Sequence, residues 1–439
     1  MRNNRFCIVA LLLVLSSCSL EKKISRQAHK TIFQNKDLAT AHIGISVYDP
    51  EKASYIYNFQ GDKYFVPASN TKLITCYAAM KYLGDSIAGA RIAWNGSELN
   101  VYPTGDPGFL HPDFPHEKLV ALMQSPATSS IRLFMPKTGF KPFGRGWTWD
   151  DYQASYMPAR SAMPMFGNIV QFEKKKEGLK VTPAVPEFIP AENITTTGMR
   201  VQRDMDANRF HVYNNRDSSA RRDEIPFRPT GFEGMAALVV EKAILGTLLG
   251  NKTIQLDTGM APATAGWVYV RHTDSLLKPM MHRSDNFFAE QSLLMVSNIQ
   301  LGYMDDRKMI DTLLKTDLAD LPQKPSWVDG SGLSRYNLFT PQDFVTVLRK
   351  MKDEFAWNRI TTILPTGGTG TLGSLYKNLQ GKIFAKTGTL SGQVALSGYL
   401  ITKKQKTLIF SVLVNNHQTA ALTVRKAVEQ FLEQLYNNN

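Results

Sequence analysis

Ser69 and Lys72 stand three residues apart in VPASNTKLITCYAAMKYL, at the head of a stretch with almost no surface character. Residues at i and i+3 share a helix face, so the lysine amine comes within reach of the serine hydroxyl. A serine at a helix start presents its Oγ together with its own unsatisfied N–H. That is a nucleophile beside half of an oxyanion hole. A free lysine, with a pKa of about 10.4, is almost wholly charged at neutral pH. A buried site or a nearby cation lowers that value and lets the amine act as a base. Taken alone, the pair also fits a capping serine and a surface lysine, because S-x-x-K arises by chance in most chains of this length.

Two further motifs follow in order. HRSDNFFAE places Ser284, Asp285 and Asn286 at a helix entrance, and FAKTGTLSG places Lys386, Thr387, Gly388 and Thr389 on an apolar strand. Singly, Ser284 reads as a helix cap and Gly388 as a strand-edge bend. Together and in this order they form the set shared by penicillin-binding proteins and class A β-lactamases. The chain resembles the low-molecular-mass class C penicillin-binding proteins, the D-alanyl-D-alanine carboxypeptidases/endopeptidases, in which a large insert separates the first and second motifs. Here residues 73 to 283 fill that interval. GDPGF (Gly105 to Phe109), GWTWDDY (Gly146 to Tyr152) and DGSGLSRYN (Asp329 to Asn337) are also close to the family's wording. The resemblance therefore runs from about residue 40 to the C-terminus.

The resemblance implies roles. Ser69 is the acylated nucleophile and Lys72 its base. Ser284 relays the proton to the leaving nitrogen. Asn286 holds Lys72 and a substrate amide. Lys386, Thr387 and Thr389 bind the terminal carboxylate, and the Thr389 N–H completes the oxyanion hole. The residues support this locally, because a cation and hydroxyls on one strand suit a carboxylate. Lys386 near Lys72 disfavours a second positive charge. Gly388 lets the substrate backbone come close. Asp151 matches an acid that the family's insert offers to an amine on the stem peptide, with Trp147 and Trp149 packed inside and the acid left at the rim. The other reading of Asp151 is a surface turn acid. Arg335 either binds peptide or anchors the GSGLSR loop.

These residues need elements to hold them. The chain has 439 residues, too many for one small core. AHIGISVYD alternates Ile43, Ile45 and Val47 inward and reads as a strand, with SYIYNFQ pairing back on it. IFAKTGTL, VALSGYLIT and TLIFSVLVNN read as three more, and Val424, Val428, Phe431 and Leu435 form the stripe of a C-terminal helix. The fold expected is the α/β (α+β) penicillin-binding-protein/β-lactamase-like transpeptidase fold: an antiparallel sheet flanked by helices and built from both chain ends. Residues 36–89 and 265–437 make this discontinuous domain. Residues 90–264 are a mostly β insert of one or two subdomains.

The N-terminus has Arg2 and Arg5, then an apolar run from Phe6 to Leu15, then Ser16, Ser17 and Cys18. This is a signal peptide by charge, length and flanks. It is too short to span a membrane, which takes about 20 apolar residues. Its end resembles the bacterial lipoprotein signal, which implies cleavage before Cys18, lipidation of Cys18 and a tether over residues 19–35. The expected location is the periplasm, on a bacterial membrane. Cys7 leaves with residues 1–18, so Cys76 alone remains and no intramolecular disulfide is available.

The formal charge of +13 is dispersed, and its densest runs, Lys174 to Lys176 and Lys403 to Lys406, fall at turns, so no nucleic acid is expected. Eight histidines make no H-E-x-x-H, and His111 with His116 reads as loop polarity, so no metal and no cofactor are expected. PTGGTGTLG lacks the G-K-[ST] ending of a phosphate loop. The partners expected are peptidoglycan stem peptides and cross-bridges, with β-lactams as covalent inhibitors. The rival readings are a β-lactamase, for which no deacylating glutamate motif stands out, and a non-catalytic wall-binding lipoprotein, which has no use for Lys72 beside Ser69.

Overall fold

The computed structural model describes residues 21–115, 117–175, 178–185, 188, 190–194, 199–214, 222–229 and 239–439. The signal with Cys18, and His116 and Lys176, lie outside the described residues. The chain divides into two compact units. Residues 1–77, 278–284 and 313–439 form the first, and 78–277 and 285–312 the second. The divisions at 77 and 312 fall inside the helices Lys72–Tyr82 and Asp306–Lys315, where the sequence reading drew its limits at 90 and 264.

The first unit is organised by one five-stranded sheet. Its order is Ile383–Leu390, Gln393–Ile401, Thr407–Asn415, His42–Asp49, Ser54–Phe59, and every neighbour is antiparallel. The two chain ends meet at its centre, with His42 opposite Asn415. Ile43, Ile45 and Val47 share a face with Val394, Leu396, Val412 and Val414, and the helix Ala421–Asn438 lays Val424, Val428, Phe431 and Leu435 against it. The other face carries the helix Pro341–Glu354, and the Tyr399 hydroxyl donates to its Leu348 O at 2.7 Å. With both faces covered, Gln393–Ile401 is buried almost throughout, which is why its sequence reads as a near-continuous apolar run.

The second unit combines β-sheets with helices. Its largest sheet runs Thr253–Thr258, Ser130–Met135, Glu98–Pro103, Ser86–Asn95, Gly266–His272. Ser130–Met135 is parallel to both neighbours. A parallel pair needs a crossover, and the helices Lys118–Gln124 and Val239–Leu249 lie in the connections before and after it. Two three-stranded sheets complete the unit. Leu99, Leu133, Phe172, Phe210 and Leu245 belong to one shared core.

Among the described residues no helix is long and apolar enough to cross a membrane. Cys76 is buried.

Candidate active site

Ser69 sits in a short 3-10 turn, Ala68–Thr71, that runs directly into the helix Lys72–Tyr82. Two asparagines fix this turn to the first unit's sheet. Asn415 accepts from the Val66 N–H at 2.7 Å and donates to Val66 O at 3.1 Å. Asn70 donates to Ser397 Oγ at 2.7 Å, and Ser397 Oγ donates to Ser411 Oγ at 2.8 Å. Asn70, Ser397 and Ser411 are wholly buried, so these bonds form away from competing water. Ala68 has φ 49°, a left-handed conformation that persists in a non-glycine residue only where the surroundings hold it.

Lys72 is fully buried. Its Nζ donates to Ser69 Oγ at 3.0 Å and to Ser331 O at 2.7 Å. Ser331 O is delivered by the loop from Asp329 to Asn337, which folds around the buried Asp329 carboxylate. That carboxylate accepts from Gly332 N at 2.8 Å, Ser334 N at 2.7 Å and Asn337 Nδ2 at 2.8 Å. Thr75 Oγ1 holds Gly330 O at 2.6 Å, so the helix and loop are joined twice. Gly332 has φ 82°, and a Cβ there would lie 1.9 Å from Ala68 O. No larger residue fits between this loop and the Ser69 turn.

Lys386 is also fully buried, on the edge strand of the same sheet and opposite Ser397. Its Nζ donates to Ser284 Oγ at 2.8 Å and to Thr387 O at 2.7 Å. Its pKa is pushed well below the usual lysine range, first by burial, then by the charge of Lys72, then by that of Arg425. The Lys72 charge nearby disfavours a second positive charge at Lys386. Ser284 has φ 61°, a second held non-glycine residue in the site.

The edge of this strand is open where chemistry needs it. The Ala385 N–H donates outward to Pro365 O at 3.1 Å. Backbone donors alternate along an antiparallel strand, so the N–H groups of Thr387 and Thr389 point to the same free side. Gly388 has a reason internal to the chain. A Cβ there would lie 2.5 Å from Pro67 O and 3.1 Å from Asn70 N, so its bareness lets the strand lie against the Ser69 turn. Arg335 Nη1 donates to Gln393 Oε1 at 2.7 Å and to Ser391 O at 3.2 Å, which ties the GSGLSR loop to the turn between the first two strands of the sheet.

Asn286 and Asp151 belong to the second unit. Asp285 caps the helix Asn286–Leu301 by accepting from Phe288 N at 2.9 Å. Asn286 Nδ2 donates to Tyr156 O at 2.9 Å. Asp151 lies in the 3-10 turn Trp149–Gln153, close enough to Tyr156 for its carboxylate to act on that phenol. The Tyr156 pKa is pushed up to about 12, by desolvation first and then by Asp151. The expected packing of both tryptophans is corrected here. Trp149 is 70% exposed, because the tight turn leaves its ring no core to enter, whereas Trp147 lies 5.5 Å under the buried Arg160 guanidinium. Arg160 in turn pairs with Glu290 at 3.2 Å and Asp306 at 2.7 Å.

Sequence reasoning found the residues of the three motifs and missed their supports. Asn70, Asn415, Tyr156 and the Ser331 carbonyl carry no motif of their own. The one available signal was Asn70, a polar residue in a run otherwise fit for burial.

Comparison with known proteins finds relatives along nearly the whole chain. A D-alanyl-D-alanine carboxypeptidase of Actinomadura sp. is 26% identical over 463 residues, covering 92% of this chain and 83% of the relative. The crystal structure of penicillin binding protein 4 (dacB) from Haemophilus influenzae superposes with a TM-score of 0.70 at 21% identity, covering 94% of this chain and 98% of that one. The complex of that Haemophilus protein with a novel β-lactam gives a TM-score of 0.67 at 20% identity and the same coverage. These two structures share the fold. The model of the D-Ala-D-Ala carboxypeptidase 3 (S13) peptidase family matches residues 25–435, and this chain belongs to that family.

Proposed function

We propose that this peptidase cleaves the D-Ala-D-Ala terminus, or the peptide cross-bridge, of peptidoglycan stem peptides through an acyl-enzyme on Ser69. The observation that carries the assignment is Lys72 Nζ, buried and 3.0 Å from Ser69 Oγ. In the reactive state a neutral Lys72 amine takes the Ser69 hydroxyl proton, and Oγ attacks the carbonyl carbon of the penultimate D-Ala. The oxyanion is received by the N–H groups of Ser69 and Thr389. Ser284, already bonded to Lys386, passes the proton from Lys72 to the departing nitrogen, and the peptide bond breaks. Water then adds to the ester carbonyl and returns Ser69 with its proton. Lys386, Thr387 and Thr389 take the terminal carboxylate. Asn286 keeps its role toward a substrate amide, and Asp151 its role toward a stem-peptide amine.

β-Lactams acylate Ser69 as mimics of the acyl-D-Ala-D-Ala bond, a reading supported by the β-lactam complex of the Haemophilus protein. The protein faces the periplasm, held to a membrane by lipid on Cys18. The test of the central assignment is labelling with a fluorescent penicillin. The wild type takes one label per chain and Ser69→Ala takes none. Label on the variant would move the nucleophile elsewhere.

A further inference from the structure

We propose that Arg425 is a positioning residue for the substrate's terminal carboxylate and acts through the Thr389 hydroxyl. The inference rests on the DD-peptidase reading above and extends it to a residue outside the three motifs. Arg425 lies on the helix Ala421–Asn438, and its Nη2 donates to Thr389 Oγ1 at 2.6 Å. Successive side chains on a strand point to opposite faces. Thr387 and Thr389 therefore share the face of Ile383 and Ala385, the one the C-terminal helix covers. Arg425 and Thr387 line one small cavity on that side.

The chemistry follows from the donors available. A threonine hydroxyl has one proton and two lone pairs, and an arginine only donates. With Arg425 on one lone pair of Thr389 Oγ1, the hydroxyl proton stays available to an anion, which can only accept it. The guanidinium also polarises the O–H and strengthens it. A donor backed by a fixed cation is matched to an anion. The only anion of an acyl-D-Ala-D-Ala substrate at that end is its C-terminal carboxylate.

The alternative is that Arg425 merely ties the helix to the edge strand. The two roles separate on an N-acyl-D-Ala-D-Ala peptide compared with the same peptide as its C-terminal carboxamide. The quantity read is the ratio of kcat/KM on the two. Arg425→Ala should lower this ratio about tenfold, chiefly through KM of the carboxylate peptide, the effect of one charge-assisted hydrogen bond. Arg425→Lys should fall between it and the wild type, and serves in its place if the alanine variant does not fold. Combined with Thr389→Val, which keeps the backbone N–H, Arg425→Ala should add nothing further to the loss of ratio. Equal losses on both peptides, or additive losses in the double variant, would overturn the inference and leave the DD-peptidase reading standing. A wild type that turns over neither peptide and takes no penicillin would overturn both.

Discussion

Two buried lysines set the terms at the residue scale. A lysine whose pKa falls on folding binds its proton in the unfolded chain and sheds it in the native one. Between the folded and unfolded values, stability therefore rises with pH. Lys386 is such a group, with its folded value well below the usual range. We expect the urea midpoint to climb from pH 6 toward pH 9, and Lys386→Met to flatten that climb. An unchanged slope in the variant would remove Lys386 as its source. Lys72→Ala takes away the amine 3.0 Å from Ser69 Oγ, the proton acceptor in the proposed mechanism. Acylation by penicillin should fall by about a hundredfold to ten-thousandfold, with far-ultraviolet circular dichroism unchanged. Near-normal acylation would take Lys72 out of the mechanism. Ser69 and Lys72 were legible because their chemistry is written in local spacing. Asn70 and Asn415 were not, since each earns its place only by meeting Ser397 or Val66 far along the chain.

At the scale of elements, the sheet was readable and its joints were not. Alternation in AHIGISVYD, the three C-terminal apolar strands and the stripe of the last helix each announce an element, and the five strands do form one sheet. No local pattern tells that Gly332 and Gly388 press against the two carbonyls flanking the turn, at Ala68 and Pro67. Both glycines come from distant segments, and their meaning lies in what they touch. Gly332 makes the sharper test, because its φ of 82° and its lack of space act together. Gly332→Ala should cost at least about 2 kcal/mol of stability and displace the Ser331 carbonyl from Lys72. A melting temperature and a penicillin acylation rate both equal to wild type would show that the loop tolerates a methyl group. The tryptophans of GWTWDDY illustrate the converse error. Aromatic residues beside a turn look like core, yet Trp149 is exposed because a 3-10 turn of five residues gives its side chains little to pack on.

For the whole molecule, the proposed reach of Asp151 toward the substrate is itself testable. Asp151 lies in a surface turn of the second unit. A partly exposed charge pair with a stem-peptide amine is worth roughly 1 kcal/mol, about fivefold in kcat/KM. Asp151→Asn should lose that on a muropeptide while acylation by a simple penicillin, which lacks the amine, holds. Equal losses on both would make Asp151 a structural acid, and no loss on either would leave it a surface residue. At the other end of the chain, Cys18→Ser should release the protein from membranes. A variant that still fractionates with them, and a wild type that never takes labelled fatty acid, would refute the anchor. The pairing of His42 with Asn415 also governs how the protein comes into being. Synthesis runs from the N-terminus, yet the strand beside residues 42–49 is made only after the whole of the chain between them. Joining ends so far apart in sequence closes a very long loop and gives the topology a high contact order, which slows folding. A growing chain therefore exposes Ser69 and Lys72 long before it can build the wall behind them. Any product truncated before residue 407 has the nucleophile without its sheet. Such fragments should neither cleave a peptide nor take penicillin, and either activity in one would show that the site forms without the strand Thr407–Asn415.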